Sequence, residues 1–448
     1  MTHVNWFKSR NWVNADITLD KSLSESHKSI PVPKGMPFWK KMLAFSGPGY
    51  LVAVGYMDPG NWATDLAGGS KFGYTLLFVI LLSNLFAMLL QHLSAKLGIV
   101  TGRDLAQICR DNFGKRTSIF LWLMAEIMIV ACDLAEVIGS AIALNLLFKI
   151  PLIVGVLITA ADVFILLLLQ NKGFRYLEAL VIVLVGTVMA AFGFELFFSQ
   201  PSISAIFGGF VPTAELFTNK EMLYIGIGIL GATVMPHNLY LHSAIVQTRA
   251  YEETEEGKKE AVKFLTIDST VALLFAFFIN AAILIVSAST FFTRGMNGIA
   301  EISQAYDLLT PLLGASLASI LFAVALLASG QNSTITGTLA GQIIMEGFLK
   351  IKLVPWLRRL ITRGLAIIPA VGVILYFGTG SLTKLLILSQ VVLSIQLPFA
   401  VFPLVYFTSS KKHLGNFANG LLIKILAWLI AGIIAGLNIY LVTMLLLG

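Results

Sequence analysis

Long apolar runs separated by short polar connections recur from about residue 42 to the end of this chain. A helix needs about 20 mostly apolar residues to cross the hydrocarbon of a bilayer. By that measure eleven runs qualify, at roughly 42–69, 74–96, 117–147, 151–169, 175–197, 221–248, 263–290, 308–347, 356–377, 384–408 and 419–447. With 57% apolar and only 12% charged residues, the chain is far more apolar than a soluble domain. Lipid is therefore its solvent, and an all-α membrane protein is the fold class expected. Residues 42–448 form a single transmembrane domain, and the polar, basic residues 1–41 form a mobile tail with no signal-peptide pattern.

This span assignment divides the basic residues unevenly: of 31 Lys and Arg, 26 lie in the tail or on the tail's side of the bundle and 5 lie opposite. Basic residues accumulate on the cytoplasmic side of membrane proteins. The asymmetry predicts a multi-pass protein of the cell membrane with a cytoplasmic N-terminus and an extracellular C-terminus. The net charge of +7 thus reports orientation, with the lipid bilayer rather than nucleic acid as partner. Cys109 and Cys132, the only two cysteines, provide neither a disulfide framework nor a thiolate cluster.

Two runs break in the same way. Asp58-Pro59-Gly60-Asn61 interrupts the first, and Met235-Pro236-His237-Asn238 interrupts the sixth. Each arm before its proline is too short to cross a bilayer, and the second arms resume at Trp62 and Leu239. Five spans separate the breaks, so the two broken spans run in opposite directions. That is the pattern of an inverted repeat of 5+5 helices, here about 42–197 and 221–408, plus an eleventh helix at about 419–447. In such transporters, paired interruptions point to a binding site near the bilayer midplane.

A helical proline supplies no N–H, which leaves the carbonyl four residues earlier without its partner. Pro59 releases the carbonyl of Gly55, and Pro236 releases that of Ala232. Within hydrocarbon such backbone is tolerated where it lines a cavity, and a cation is its natural ligand. Beside it stand the Asp58 carboxylate, the Asn61 amide and the Met235 thioether. Oxygen donors suit hard ions and sulfur favours softer transition ions, so the mixed set fits Mn(II) or Fe(II). Taken alone, Met235 also reads as core filler. Asp58, inside a membrane helix, is a functional-site candidate by default.

The DPGN and MPHN pair at these positions, with the eleven-span layout, resembles the signature of the Nramp divalent metal transporters over about residues 42–447. The resemblance implies a LeuT-like fold that couples uptake of Mn(II) or Fe(II) to protons, with no resident cofactor and no enzymatic reaction. It implies a metal site of Asp58, Asn61, Met235 and the Ala232 carbonyl, with Gln390 on span ten as a further polar contact. Relatives thought to move Mg(II) lack the span-six methionine.

Span three carries Glu126, Asp133 and Glu136, whose spacing places them on one helical face. The stripe reads as a proton relay, since intramembrane carboxylates gather along ion pathways. It also reads as a structural stripe paired to Arg358, Arg359 or Arg363. His237 can exchange protons near neutral pH or serve as a packing residue. By resemblance, Asp133, Glu136 and His237 belong to the proton pathway, and Glu126 to an acidic and arginine network toward the cytoplasm. His92 and His242 read as structural, His92 with its polar tip at the headgroups. Asp162 and Glu195 have no assigned role, and Asn332-Ser333-Thr334 matches a glycosylation tripeptide in an implausible place. Three other readings compete, one of them a channel, which uses rings of carbonyls or charges but needs no internal repeat or proton stripe. A sodium-coupled organic solute (amino acid) transporter of the same fold would set Asp58 against its substrate's carboxylate. An intramembrane hydrolase would need a catalytic motif that the sequence lacks.

Overall fold

The computed structural model describes residues 22–161, 174–351 and 355–447, apart from 24–25, 33–34, 36, 298, 300 and 379–380. Among these the chain is almost wholly helical, apart from one two-residue parallel pairing of Ile30–Pro31 with Arg249–Ala250. Among the described residues, eight helices are long and apolar enough to cross a membrane. They are span two (Leu77–Thr101), three (Lys115–Phe148), five (Phe174–Ser199), six (within Lys220–Thr248), seven (within Glu255–Arg294), eight (Ala318–Leu349), ten (Leu382–Thr408) and eleven (within Leu421–Leu447). Span one is divided into half-helices Pro48–Gly55 and Pro59–Phe72, and span nine is Pro355–Phe377. Span four is described over Leu152–Ile158 and a turn Thr159–Ala161; the remainder, including Asp162, lies outside the described residues.

Helix ends follow local chemistry. Span seven starts where the Thr254 hydroxyl accepts from the Gly257 N–H at 3.1 Å, with Glu255 and Glu256 in the first turn where the helix dipole favours acids. A capping box of Asp104 and Gln107 opens the helix Leu105–Asn112 between spans two and three. Burial ranks the spans: 94% of the apolar window of span six and 83% of span three is inside the protein, against 33% for spans five and eleven. The broken spans therefore lie at the centre, and spans five and eleven face lipid.

Three boundaries differ from those read in the sequence. The apolar run that begins at 42 is not one helix: Phe38–Phe45 ends at Ser46, and Gly47, at φ 131°, turns the chain into the first half-helix. Span eight starts at Ala318, because Gly314 at φ 68° ends a separate helix Ile302–Leu313 that hydropathy alone merges with it. The described part of the tail is docked, not free. Besides the Ile30–Pro31 pairing, Ser22 Oγ donates to Asp104 Oδ2 at 2.6 Å, the Lys28 N–H to the Gln247 carbonyl at 3.0 Å, and Lys28 Nζ pairs with Glu253 at 2.7 Å.

Candidate functional site

At the first break Asp58 caps the half-helix Pro59–Phe72, its Oδ1 accepting from the Asn61 N–H at 2.8 Å. Pro59 occupies the first helical position, where its missing N–H is no loss. Two carbonyls upstream of the break are taken by side chains: Tyr56 O accepts from Asn280 Nδ2 at 2.8 Å, and Met57 O from Trp62 Nε1 at 3.3 Å and from the Ser329 hydroxyl. At the second break the helix Lys220–Val234 stops and Pro236–Ile245 begins, with Met235 between them at φ 32°, ψ 100°. A left-handed φ at a residue with a side chain is strained, and such outliers gather at functional sites. Pro236 has no N–H to offer the Ala232 carbonyl.

The two breaks meet. Tyr56 Oη donates to the Val234 carbonyl at 3.5 Å, and Asn238 Nδ2 to the Val52 carbonyl at 3.2 Å while lying 3.8 Å from Met235 Sδ. Gln390 on span ten closes the group: its Nε2 is 3.4 Å from Asp58 Oδ2, and a side chain at Gly60 would collide with its amide. Asp58, Asn61, Ala232, Met235, Pro236, His237, Asn238 and Gln390 are all buried. Among the described residues, Asn61 Oδ1 and Gln390 Oε1 accept no hydrogen bond. Buried polar atoms are nearly always paired, so two unpaired amide oxygens on residues that neighbour a carboxylate fit a cation. A half-turn of the Gln390 amide would present its oxygen in place of its nitrogen. Among the described residues no three His, Cys, Asp or Glu side chains cluster as a metal site, so one carboxylate with neutral donors makes up this group.

The stripe on span three runs away from the breaks. His237 Nε2 is 3.9 Å from Cys132 Sγ, which is 3.4 Å from Glu136 Oε1. Glu136 also accepts from Ser333 Oγ at 3.1 Å and pairs with Arg363 Nη1 at 3.3 Å. Arg363 donates in turn to the Asp133 carbonyl at 3.3 Å and to Thr334 Oγ1 at 2.8 Å. Farther along, Glu126 accepts both Arg358 Nη2 contacts, at 3.0 and 3.1 Å, and Trp122 Nε1 at 2.9 Å. Arg358 and Arg363 thus supply the pairing; the Arg359 side chain lies outside the described residues. Ser333 and Thr334 point inward, and the Asn332-Ser333-Thr334 tripeptide is buried.

Sequence reasoning missed a second polar group at the tail-side end of span one. Asp268 Oδ2 accepts from the Gly49 N–H at 2.7 Å, capping the first half-helix from span seven. Buried Arg249 pairs with Glu178 at 2.7 Å and donates to the Ser46 carbonyl at 2.5 Å, and Arg175 donates to Leu43, Ala44 and Ser46 carbonyls. Lone carboxylates inside apolar runs, at Glu178 and Asp268, were the available signal. His242 belongs to a chain in which its Nδ1 is 3.0 Å from Gln91 Oε1, whose Nε2 donates to Tyr56 Oη at 2.8 Å. His92 does not reach for headgroups; its Nδ1 is 2.8 Å from the Thr266 hydroxyl of span seven. Glu195 is buried, and among the described residues neither of its carboxylate oxygens has a hydrogen-bond partner.

A bundle of apolar helices around two interrupted spans, with cation-type donors at the interruptions, defines a multi-pass membrane transporter and not an enzyme. The chain belongs to the Nramp family: the family model for natural resistance-associated macrophage protein-like proteins matches residues 49–444. A protein of a Nostoc species named divalent metal cation transporter MntH is 64% identical over 94% of this chain and 95% of its own length. One of the same name from Listeria monocytogenes is 59% identical over 98% and 96%. The crystal structure of a manganese transporter from Eremococcus coleocola superposes with a TM-score of 0.86 at 44% identity, covering 93% of this chain and 90% of that one. The LeuT-like fold expected from the sequence is the fold found; Mhp1, a nucleobase-cation-symport-1 family transporter, shares it at TM-score 0.59 and 15% identity over 93% of each chain.

Proposed function

We propose that this chain imports Mn(II), with Fe(II) as a second cargo, across the cell membrane by alternating access, coupled to inward movement of protons. The observation that carries this reading is the meeting of the two breaks, where Asn61 and the Gln390 amide lie beside the Asp58 carboxylate, each with an oxygen that accepts no hydrogen bond among the described residues, next to a strained Met235. Asp58, Asn61, Met235, Gln390 and the Ala232 carbonyl hold the ion. The thioether favours a transition ion over Mg(II) or Ca(II). The names of the manganese and divalent metal cation transporters above agree with this cargo.

Spans one and six belong to opposite halves of a 5+5 inverted repeat and swing against the rest, with Pro59, Gly60, Pro236 and Asn238 as the hinge chemistry. The N-terminus is cytoplasmic and the C-terminus extracellular, as the basic residues require. Protons pass from Asp58 and His237 toward Asp133 and Glu136, and Glu126 with Arg358 forms the cytoplasmic end of the route. Metal binding requires a deprotonated carboxylate, so arrival of the ion releases a proton into that route.

The test is Mn(II) flux into proteoliposomes as external pH falls. Uptake rises with acidity in the unaltered protein and is lost in Asp58→Ala; flux that survives this substitution overturns the site. In the same assay Met235→Ala admits Ca(II) or Mg(II) as competitors, and unchanged discrimination removes the sulfur from the ligand set.

A further inference from the structure

Where span ten ends, the chain makes a short helix Lys411–Leu414 and a turn Gly415–Phe417 before span eleven starts at Leu421. Between them lies an open cavity of about 810 Å³ whose polar lining includes Ser409, Lys411, Asn416, Asn419 and Lys424. Among the described residues, neither Lys411 nor Lys424 makes an ion pair. One carboxylate, Glu255, accepts from Asn416 Nδ2 at 3.4 Å and is already held by Lys259 at 2.8 Å.

Behind the cavity wall a third cation is buried. Lys96 of span two is 6% exposed, and its Nζ has the Asn419 Oδ1 amide oxygen at 2.5 Å and no carboxylate in ion-pair range among the described residues. The Asn419 amide is held in that orientation by its Nδ2 bonds to Thr408 Oγ1 at 3.1 Å and Ser409 Oγ at 3.3 Å. A buried ammonium with only a neutral acceptor is costly, and a nearby anion relieves it. The rim of the cavity turns apolar along span eleven, where Leu421, Leu422 and Ile425 are 76%, 71% and 55% exposed.

We propose that this cavity binds the phosphate of an anionic phospholipid from the tail-side leaflet. Lys411 and Lys424 contact the phosphate oxygens, the Lys96 charge acts through Asn419, and the acyl chains lie along the apolar start of span eleven. A free phosphate would satisfy the cations and leave that apolar rim unused, so the lipid is the occupant to which the geometry points. The site lies apart from the breaks and serves to anchor spans two, ten and eleven to the leaflet.

Protein loaded with equal phosphatidylglycerol and phosphatidylcholine, then washed in detergent, is weighed by native mass spectrometry. A juxtamembrane lysine is typically worth about fivefold in binding to an anionic surface, so Lys411→Gln/Lys424→Gln loses roughly 25-fold in phosphatidylglycerol retention. Both positions are exposed, so the variant folds. Equal retention of the two lipids by the unaltered protein, equal retention by variant and unaltered protein, or displacement of phosphatidylglycerol by 10 mM inorganic phosphate overturns the proposal. A second measurement uses Lys96→Met in nanodiscs: added phosphatidylglycerol raises the melting temperature of the unaltered protein and leaves that of the variant unmoved. An equal shift in both removes Lys96 from the site.

Discussion

The pairing of Glu136 with Arg363 is the sharpest place to test whether the span-three stripe only stabilises the bundle. Both side chains are essentially out of solvent, at 0% and 1% exposure, with Oε2 and Nη1 3.3 Å apart. At an effective dielectric of about 20 their attraction is about 5 kcal/mol, and breaking a buried pair by removing one partner typically costs about 3–5 kcal/mol. After Arg363→Met the Glu136 carboxylate keeps Ser333 and Cys132 among its neighbours, at 3.1 and 3.4 Å, and neither replaces the lost positive charge. After Glu136→Gln the guanidinium keeps the Asp133 carbonyl and the Thr334 hydroxyl among its contacts. Each single variant should therefore lose about 3–5 kcal/mol, whereas Glu136→Gln/Arg363→Met should lose clearly less than the two single losses together, because the double replacement removes both charges of the pair. Unfolding in a detergent series, followed by tryptophan fluorescence, closes the cycle. Additive losses would refute the assignment of the pair. If the double variant also moves Mn(II) with its pH dependence intact, Glu136 is not part of the proton route.

Two further predictions concern packing and pH. A side chain at Gly139 of span three would fall on the Pro59 ring, whereas Gly186 of span five faces open space. Gly139→Ala should cost about 1–3 kcal/mol and slow Mn(II) uptake at least several-fold, while Gly186→Ala should be neutral or stabilising by up to about 1 kcal/mol; equal effects in melting and flux assays would rule out the close contact. Asp104, in the connection between spans two and three, has its carboxyl pushed up by burial to about 6 from an ordinary 3.8, against the opposing hydrogen bonds from Ser22 and Gln107. The native state thus holds this proton more tightly than the unfolded chain does, so stability falls as pH rises from about 4 to about 6, by up to about 3 kcal/mol. Asp104→Asn should lack that part of the slope, and melting curves of the two proteins that stay parallel across this range would contradict it.

What the sequence made legible is what the backbone decides locally. Asp58-Pro59 and Met235-Pro236 announce their breaks because a proline cannot continue the preceding turn, whatever surrounds it. The break at Ser46-Gly47 escaped notice because hydropathy stays high across it, and because the Asp268 carboxylate that caps the new helix comes from 219 residues away. The same distance effect hid the choice among arginines. Three lie near the start of span nine, and only the packing of spans three, eight and nine assigns Arg358 to Glu126 and Arg363 to Glu136. The docked tail was hidden differently: its polar composition reads as solvated, yet a backbone pairing such as Ile30 with Arg249 needs no apolar side chain.

The donors at the breaks also explain why such a site would hold an ion without trapping it. An unmade hydrogen bond on a buried acceptor costs about 1–3 kcal/mol, and Asn61 and Gln390 each carry one such oxygen. A cation that accepts both oxygens therefore gains from ending an existing penalty as well as from its own coordination. The gain is bounded, because the other donors are a single carboxylate, a thioether and a carbonyl that has already lost its N–H to Pro236. The strained φ of 32° at Met235 is a further cost that only this backbone path imposes, and a small rotation there would carry the sulfur out of the group. On that reading a change in geometry at one residue, at the hinge between the halves of span six, would be enough to separate binding from release.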